Sequence, residues 1–292
     1  MKIGIFLVLL VLGVLLVLFF RWGYRENQHL VLTRYSIESK EIPAGFDGCK
    51  IAFLSDLHNN EFGEKNQRLK EALLAEKPDL VLIGGDMMVG KPGASYAVAL
   101  ELVLWIQGHF PVIYGMGNHE YRVRQNTVLY QTLYQEYAGA LKEKGIEILD
   151  NERRYWERNG ERIVIYGLTI GQYYYKRLKI EEMDKEYLTD CLGKREEGFS
   201  ILLAHNPVHF PAYAQWGARL VLAGHNHGGV MRLPWLGGVV SPNYRIFPEY
   251  DVGEFHRGES TMLLSAGLGS HTLPFRFFNP PELLIIRLHS VE

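Results

Sequence analysis

Five short apolar runs in this chain stop at residues able to hold a metal ion, and this repeated device constrains the fold more than any other feature. Lys50-Ile51-Ala52-Phe53-Leu54 runs into Ser55-Asp56-Leu57-His58, and Leu80-Val81-Leu82-Ile83 into Gly84-Gly85-Asp86. The run 111–114 leads to Gly117-Asn118-His119-Glu120, Ser200–Ala204 to His205, and 219–223 to Gly224-His225-Asn226-His227. Apolar runs of four or five residues bounded by glycine and polar groups read as buried strands. Helical spacing over 65–76, 96–106 and 181–191 falls between strands, and another strand is read at 162–166. Alternating strands and helices make a layered α/β fold, in which ligands gather outside the carboxyl ends of the strands. Gly117 to Glu120 is then expected in a loop after a buried strand.

The residues at these ends comprise two carboxylates, one amide and five imidazoles: Asp56, His58, Asp86, Asn118, His119, His205, His225 and His227. A single His or Asp in such a place is more often a satisfied loop residue than a ligand. Together they exceed what one ion needs and suit two, with Asp86 as bridge because a carboxylate has two oxygens to share. Mixed His, Asp and Asn ligation suits Mn, Fe, Zn, Co or Ni better than Mg or Ca. Two such ions about 3.5 to 4 Å apart clamp a phosphoryl group and activate a water, so the implied chemistry is phosphoester hydrolysis.

The five blocks, in order, resemble those of the calcineurin-like metallophosphoesterases, from about Lys50 to the end of the chain. The tail, with Gly267-Leu268-Gly269, Pro274-Phe275-Arg276 and Pro280-Pro281-Glu282, is similar to the membrane-anchored bacterial branch. The resemblance implies a four-layer α/β/β/α sandwich. It implies Asp56, His58 and His227 on one divalent ion, Asn118, His205 and His225 on the other, and Asp86 bridging. His119 is implied to contact phosphate and act as general acid, with Glu120 orienting its ring. Relatives in that branch include hydrolases of nucleotide-linked acyl glucosamine, which makes a lipid-linked diester or pyrophosphate the expected substrate. A soluble nucleotide, or a metal-binding scaffold without turnover, are the alternatives.

The stretch 3–20 has no charge and no strong polar group. As a helix it covers roughly 27 Å, enough to cross a bilayer. Lys2 before it and Arg21, Trp22, Tyr24 and Arg25 after it place basic and aromatic groups at the interfaces. A cleaved signal peptide is the rival, but bulky Phe19-Phe20-Arg21-Trp22 offers no small-residue cleavage site. Residues 1–25 are thus expected to be a transmembrane anchor and 26–292 one catalytic domain. Arg21, Arg25 and Arg34 against Lys2 lean that domain toward the cytoplasm.

With 31 basic and 33 acidic residues, a net charge of -2 offers no attraction to polyanions, and no nucleic acid is expected. A 47% hydrophobic chain of 292 residues has material for a large core. Cys49 and Cys191 lack zinc-ligand spacing and read as separate buried thiols. His109, His209 and His289 read as solvated or core-edge residues, whereas His271, near Arg276, is a candidate for touching substrate. Arg276, between Pro-containing turns, is a candidate phosphate ligand. Tyr173-Tyr174-Tyr175-Lys176-Arg177 reads as a Tyr-rich surface loop ahead of a phosphate-binding patch. Leu233-Pro234-Trp235-Leu236 and residues 275–278 read either as an acyl groove or as core. The sequence leaves the oligomeric state open.

Overall fold

Strands that are apolar at every position need cover on both faces, and here each sheet has another sheet on one side and helices on the other. The computed structural model describes residues 2–292 except 177–178, 230, 243 and 271–273. Helix α1 (Lys2–Glu26) leads to β1 (Val31–Ser39). The first half continues through β2 (Lys50–Leu54), α2 (Gln67–Glu76), β3 (Leu80–Ile83), α3 (Ala97–Gln107) and β4 (Val112–Gly115). Helices α4 (Asn118–Gln125), α5 (Thr127–Tyr130) and α6 (Leu133–Lys142) follow, then β5 (Ile148–Leu149). The second half runs β6 (Glu152–Arg158), β7 (Glu161–Leu168), α7 (Lys185–Leu192), β8 (Ser200–Ala204), α8 (Phe210–Trp216) and β9 (Leu220–Ala223). A small hairpin, β10 (Arg232–Leu233) with β11 (Gly237–Gly238), precedes β12 (Gly253–Arg257), β13 (Ser260–Leu264) and β14 (Glu282–Ser290).

One sheet has the order β1-β14-β2-β3-β4-β5 and the other β12-β13-β9-β8-β7-β6. Side chains alternate faces along a strand. Ile51, Phe53, Leu80 and Leu82 of the first sheet therefore meet Ile201, Leu203, Leu220 and Leu222 of the second in a shared core. The opposite faces, with Ala52, Leu54, Val81 and Ile83, lie under α2, α3 and α6. Leu202, Val221 and Leu264 lie under α7 and α8. This is the α/β/β/α sandwich. β2, β3 and β4 are mutually parallel, as are β7, β8 and β9, so the ends of each set that carry the candidate donors share an edge.

Several expectations change. Asn118 opens α4 rather than lying in a loop, with Gly117 at its cap. An acidic residue such as Glu120 suits a helix's first turn. α7 starts at Lys185, not 181, because the Asp184 side chain accepts from the Tyr187 amide at 2.9 Å and sets the start there. His209 is buried and Cys191 is only partly so. The strands β12 to β14 had no sequence assignment, although β14 sits centrally between β1 and β2.

Candidate metal centre

Loops at the ends of β2, β3, β8 and β9, with the start of α4, bring eight donor residues together, all buried. Asp56 Oδ1 lies 3.3 Å from His227 Nε2 and 3.7 Å from His205 Nε2, and His58 Nε2 lies 3.1 Å from His227 Nε2. Asp86 Oδ2 is 3.2 Å from His205 Nε2, 3.8 Å from His58 Nε2 and 4.0 Å from His119 Nε2. Three groups have mutually close donor atoms: Asp56, His58 and His227; His58, Asp86 and His119; Asp86, His205 and His225.

Asp56, His58, Asp86, His225 and His227 all have φ between 48° and 69°. Such left-handed backbone is unfavourable for non-glycine residues and collects at functional sites. Gly85, at φ 97°, lets the β3 loop pass so near Gly117 that a Cβ would lie 2.3 Å from its nitrogen. A Cβ on Gly224 would lie 2.1 Å from Asp56 Oδ2. These glycines serve close approach as well as turning.

Surrounding atoms aim the donors. His205 Nδ1 is 2.8 Å from Gly84 O and His227 Nδ1 is 3.0 Å from Gly269 O; donation to these carbonyls leaves each Nε2 lone pair facing inward. Asp56 accepts from Ser55 Oγ at 2.6 Å and from the His225 amide at 3.1 Å. Asp86 Oδ1 accepts from the His119 amide at 2.7 Å. Neither Ser55 nor Gly269 is given a role by the sequence, though Ser55 stands inside the first block and Gly269 inside the tail motif.

Burial alone would raise the Asp56 carboxyl, but the His227 and His205 imidazoles outweigh it and hold the group well below the carboxylate range. Burial is likewise overcome at Asp86, chiefly by His205 and His119. His205, which burial would keep neutral, is pushed up to about 10 by Asp86 and Asp56. The centre is therefore built to surround positive charge. Asn118 Oδ1 is buried without a hydrogen-bond partner among the described residues, which fits an oxygen reserved for a cation. The donor set fits divalent metal.

Two positions differ from expectation. Glu120 does not orient His119: its carboxylate accepts from the Asp86 and Met87 amides, both at 2.8 Å, and from Tyr114 Oη at 2.9 Å. Burial, then Asp86, pushes its pKa up to about 7. The His119 ring is oriented by the Gly90 amide, which donates to Nδ1 at 2.8 Å and leaves the proton of the neutral ring on Nε2. Arg276 does not present its guanidinium for phosphate. It is 2% exposed, with Nη2 donating to the carbonyls of Ala266, Gly267 and Gly269 and Nη1 to Asn279 O. His271 and Arg177 lie outside the described residues.

A donor set of this kind at strand ends serves metal-assisted hydrolysis of phosphoesters, and comparison with known proteins agrees: the protein is a metal-dependent phosphoester hydrolase. Residues 49–229 match the family model described as calcineurin-like phosphoesterase, and the chain belongs to that family. It is 29% identical over 275 residues to the uncharacterized metallophosphoesterase YkuE of Bacillus subtilis (strain 168), covering 92% of this chain and 89% of that one. An uncharacterized metallophosphoesterase of Aquifex aeolicus (strain VF5) is also 29% identical, with 91% and 95% covered. The phosphodiesterase YaeI of Escherichia coli (strain K12) is 25% identical, with 82% of each covered.

Proposed function

We propose a membrane-anchored two-metal phosphodiesterase, with Asp56, His58 and His227 on one ion, Asn118, His205 and His225 on the other, and Asp86 between them. The observation that carries this is the membership of Asp86 in two donor groups, one with His58 and His119 and one with His205 and His225. Bound divalent ions, of Mn, Fe, Zn, Co or Ni type, supply Lewis acidity and a nucleophile of lowered pKa. The chain supplies aim and proton placement. The Gly90 amide commits His119 to donate from Nε2. Protonating the whole ring would cost that hydrogen bond, so donation from a neutral imidazole to a phosphoryl or leaving oxygen is favoured over full general-acid transfer. Glu120 is a positioning residue that pins the Asp86 turn.

Diester preference is supported by the relative named a phosphodiesterase. A lipid-linked substrate is supported by α1, whose segment Ile3–Glu26 is long and apolar enough to cross a membrane. The test is hydrolysis of bis-p-nitrophenyl phosphate beside p-nitrophenyl phosphate by the full chain in detergent with manganese. The diester should be cleaved, and Asp86→Asn should lose metal and turnover together. An Asp86→Asn protein with two ions and full activity removes the bridge. Two bound ions without turnover of either ester favours a scaffold.

A further inference from the structure

Of the fourteen large hydrophobic side chains exposed beyond residue 26 among the described residues, seven lie at 233–247 and at Phe278. Leu233, Trp235 and Leu236 are neither core nor groove: they form the exposed tip of the β10–β11 hairpin, with Trp235 101% exposed. Backbone pairing joins this tip to its neighbours. The Arg232 amide donates to Phe277 O at 3.0 Å, Val239 to Met231 O at 2.8 Å and Phe247 to Val239 O at 2.9 Å. The patch is thus one surface made of the hairpin, the 246–247 turn and Phe278.

That surface adjoins the carboxyl end of α1. Phe19 stacks on Phe277 at 4.1 Å between ring centroids, Trp22 meets Phe278 at 4.7 Å, and the Arg276 amide donates to Gly23 O at 3.1 Å. Phe275 packs on Phe20 at 5.1 Å. Phe277 is therefore buried by α1, while Phe275 stays half-buried beside it. The hairpin also follows directly on the last metal-binding loop, where Asn279 Nδ2 donates to the carbonyls of His227 at 2.6 Å and Gly229 at 2.7 Å. Arg21 and Arg25, exposed on the last turns of α1, match anionic headgroups. An exposed apolar patch of aromatic and aliphatic residues, continuous with the end of a spanning helix, has the composition of the interfacial layer of a bilayer.

We propose that the β10–β11 hairpin and the adjoining Ile246 and Phe247 are a second membrane contact, seated in the interfacial layer of an anionic bilayer at the carboxyl end of α1. This rests on α1 being a span. It fixes the His225–His227 loop at headgroup depth, where the phosphate of a lipid-linked phosphoester lies, and so assigns the substrate class by position.

The test uses the full chain reconstituted in vesicles of equal parts phosphatidylcholine and phosphatidylglycerol. An environment-sensitive fluorophore is placed on a cysteine at Trp235, at Val128 or at Leu12, with Cys191 replaced by Ala. The label at 235 should shift to the blue and be quenched by lipids carrying a shallow nitroxide, whereas that at the exposed Val128 should not. A label at 235 as unquenched as that at 128 overturns the proposal. So does a shift that follows protein density in the vesicle, which indicates a second copy, or one that appears only on adding substrate, which indicates an acyl site. The label at Leu12 reads the premise separately: if deep-chain nitroxides do not quench it, α1 is not a span. A second variant, Trp235→Glu with Leu236→Glu, should lower cleavage of a vesicle-embedded phosphodiester about tenfold or more. Its turnover of the soluble chromogenic diester should be unchanged. Equal loss on both substrates overturns the contact.

Discussion

His119 shows how far a single residue can be read. Sequence identified it as the imidazole beside the ligand Asn118, and neighbouring Glu120 seemed its natural partner. Adjacent residues on a helix point about 100° apart, so in α4 the two side chains part. Glu120 takes the Asp86 and Met87 amides, while His119 takes the Gly90 amide. No local pattern reveals that Gly90, 29 residues earlier, would supply the orienting group. Replacing His119 by Ala should slow turnover by roughly 100-fold or more, the cost of losing one hydrogen-bond donor to developing charge, while the bound metal stays. His119→Gln, which keeps an N–H donor, should recover part of that loss. Equal kcat for the two variants would argue against donation from Nε2. His209 offers a pH test away from the centre. Burial pushes its pKa down to about 4, whereas an unfolded histidine titrates near 6.5. The unfolded chain therefore binds the proton more readily, so the stabilising effect of neutral His209 is complete above about pH 6.5 and drains as pH falls toward 4. Between pH 7.5 and 5 the loss is about 2 kcal/mol. Urea unfolding over this window should show a smaller decline for His209→Gln than for the wild type, and parallel curves would assign the loss elsewhere.

At the scale of elements, legibility followed burial. β2, β3, β8 and β9 are covered on both faces, so their runs are apolar without interruption and their ends stand out. β14 is just as apolar over Leu283 to Ile286, but its place antiparallel to β2 and parallel to β1 depends on partners more than 200 residues away. Only the fold supplies those. The loop before β14 carried the largest misreading. An arginine between two Pro-containing turns suggested a phosphate ligand, yet three carbonyls of residues 266–269 and one at Asn279 occupy the Arg276 guanidinium. Gly269 O also faces His227 Nδ1 at 3.0 Å, so the clamp helps to aim an imidazole proposed as a metal ligand. The two roles predict different damage. Arg276→Met should strand several buried carbonyls and lower stability by about 3 kcal/mol or more, with loss of bound metal. A phosphate ligand would instead raise KM while leaving the urea midpoint and metal content as they were.

The whole molecule is two sheets whose apolar faces meet in a shared core, and the metal centre straddles their common edge. Asp56, His58, Asp86 and Asn118 come from ends of the first sheet, while His205, His225 and His227 come from ends of the second. Ions held by both sets, as proposed, would tie the sheets together across the edge where the shared core ends. The centre has a cost of its own, since two carboxylates are buried there and Asp86 lies close enough to work against the ionisation of Asp56. Positive charge from divalent ions relieves that repulsion in the folded chain and in no comparable arrangement of the unfolded one. Metal binding should therefore stabilise the fold, by about 2.7 kcal/mol per site at a free-ion concentration 100 times Kd. Thermal unfolding of the full chain in detergent should show a lower midpoint after chelation and recovery on adding manganese. Asp86→Asn should recover less, because it weakens the group common to two donor sets. An unmoved midpoint on chelation would mean that the two sheets hold their edge without the ions, and that the ligands serve the reaction alone.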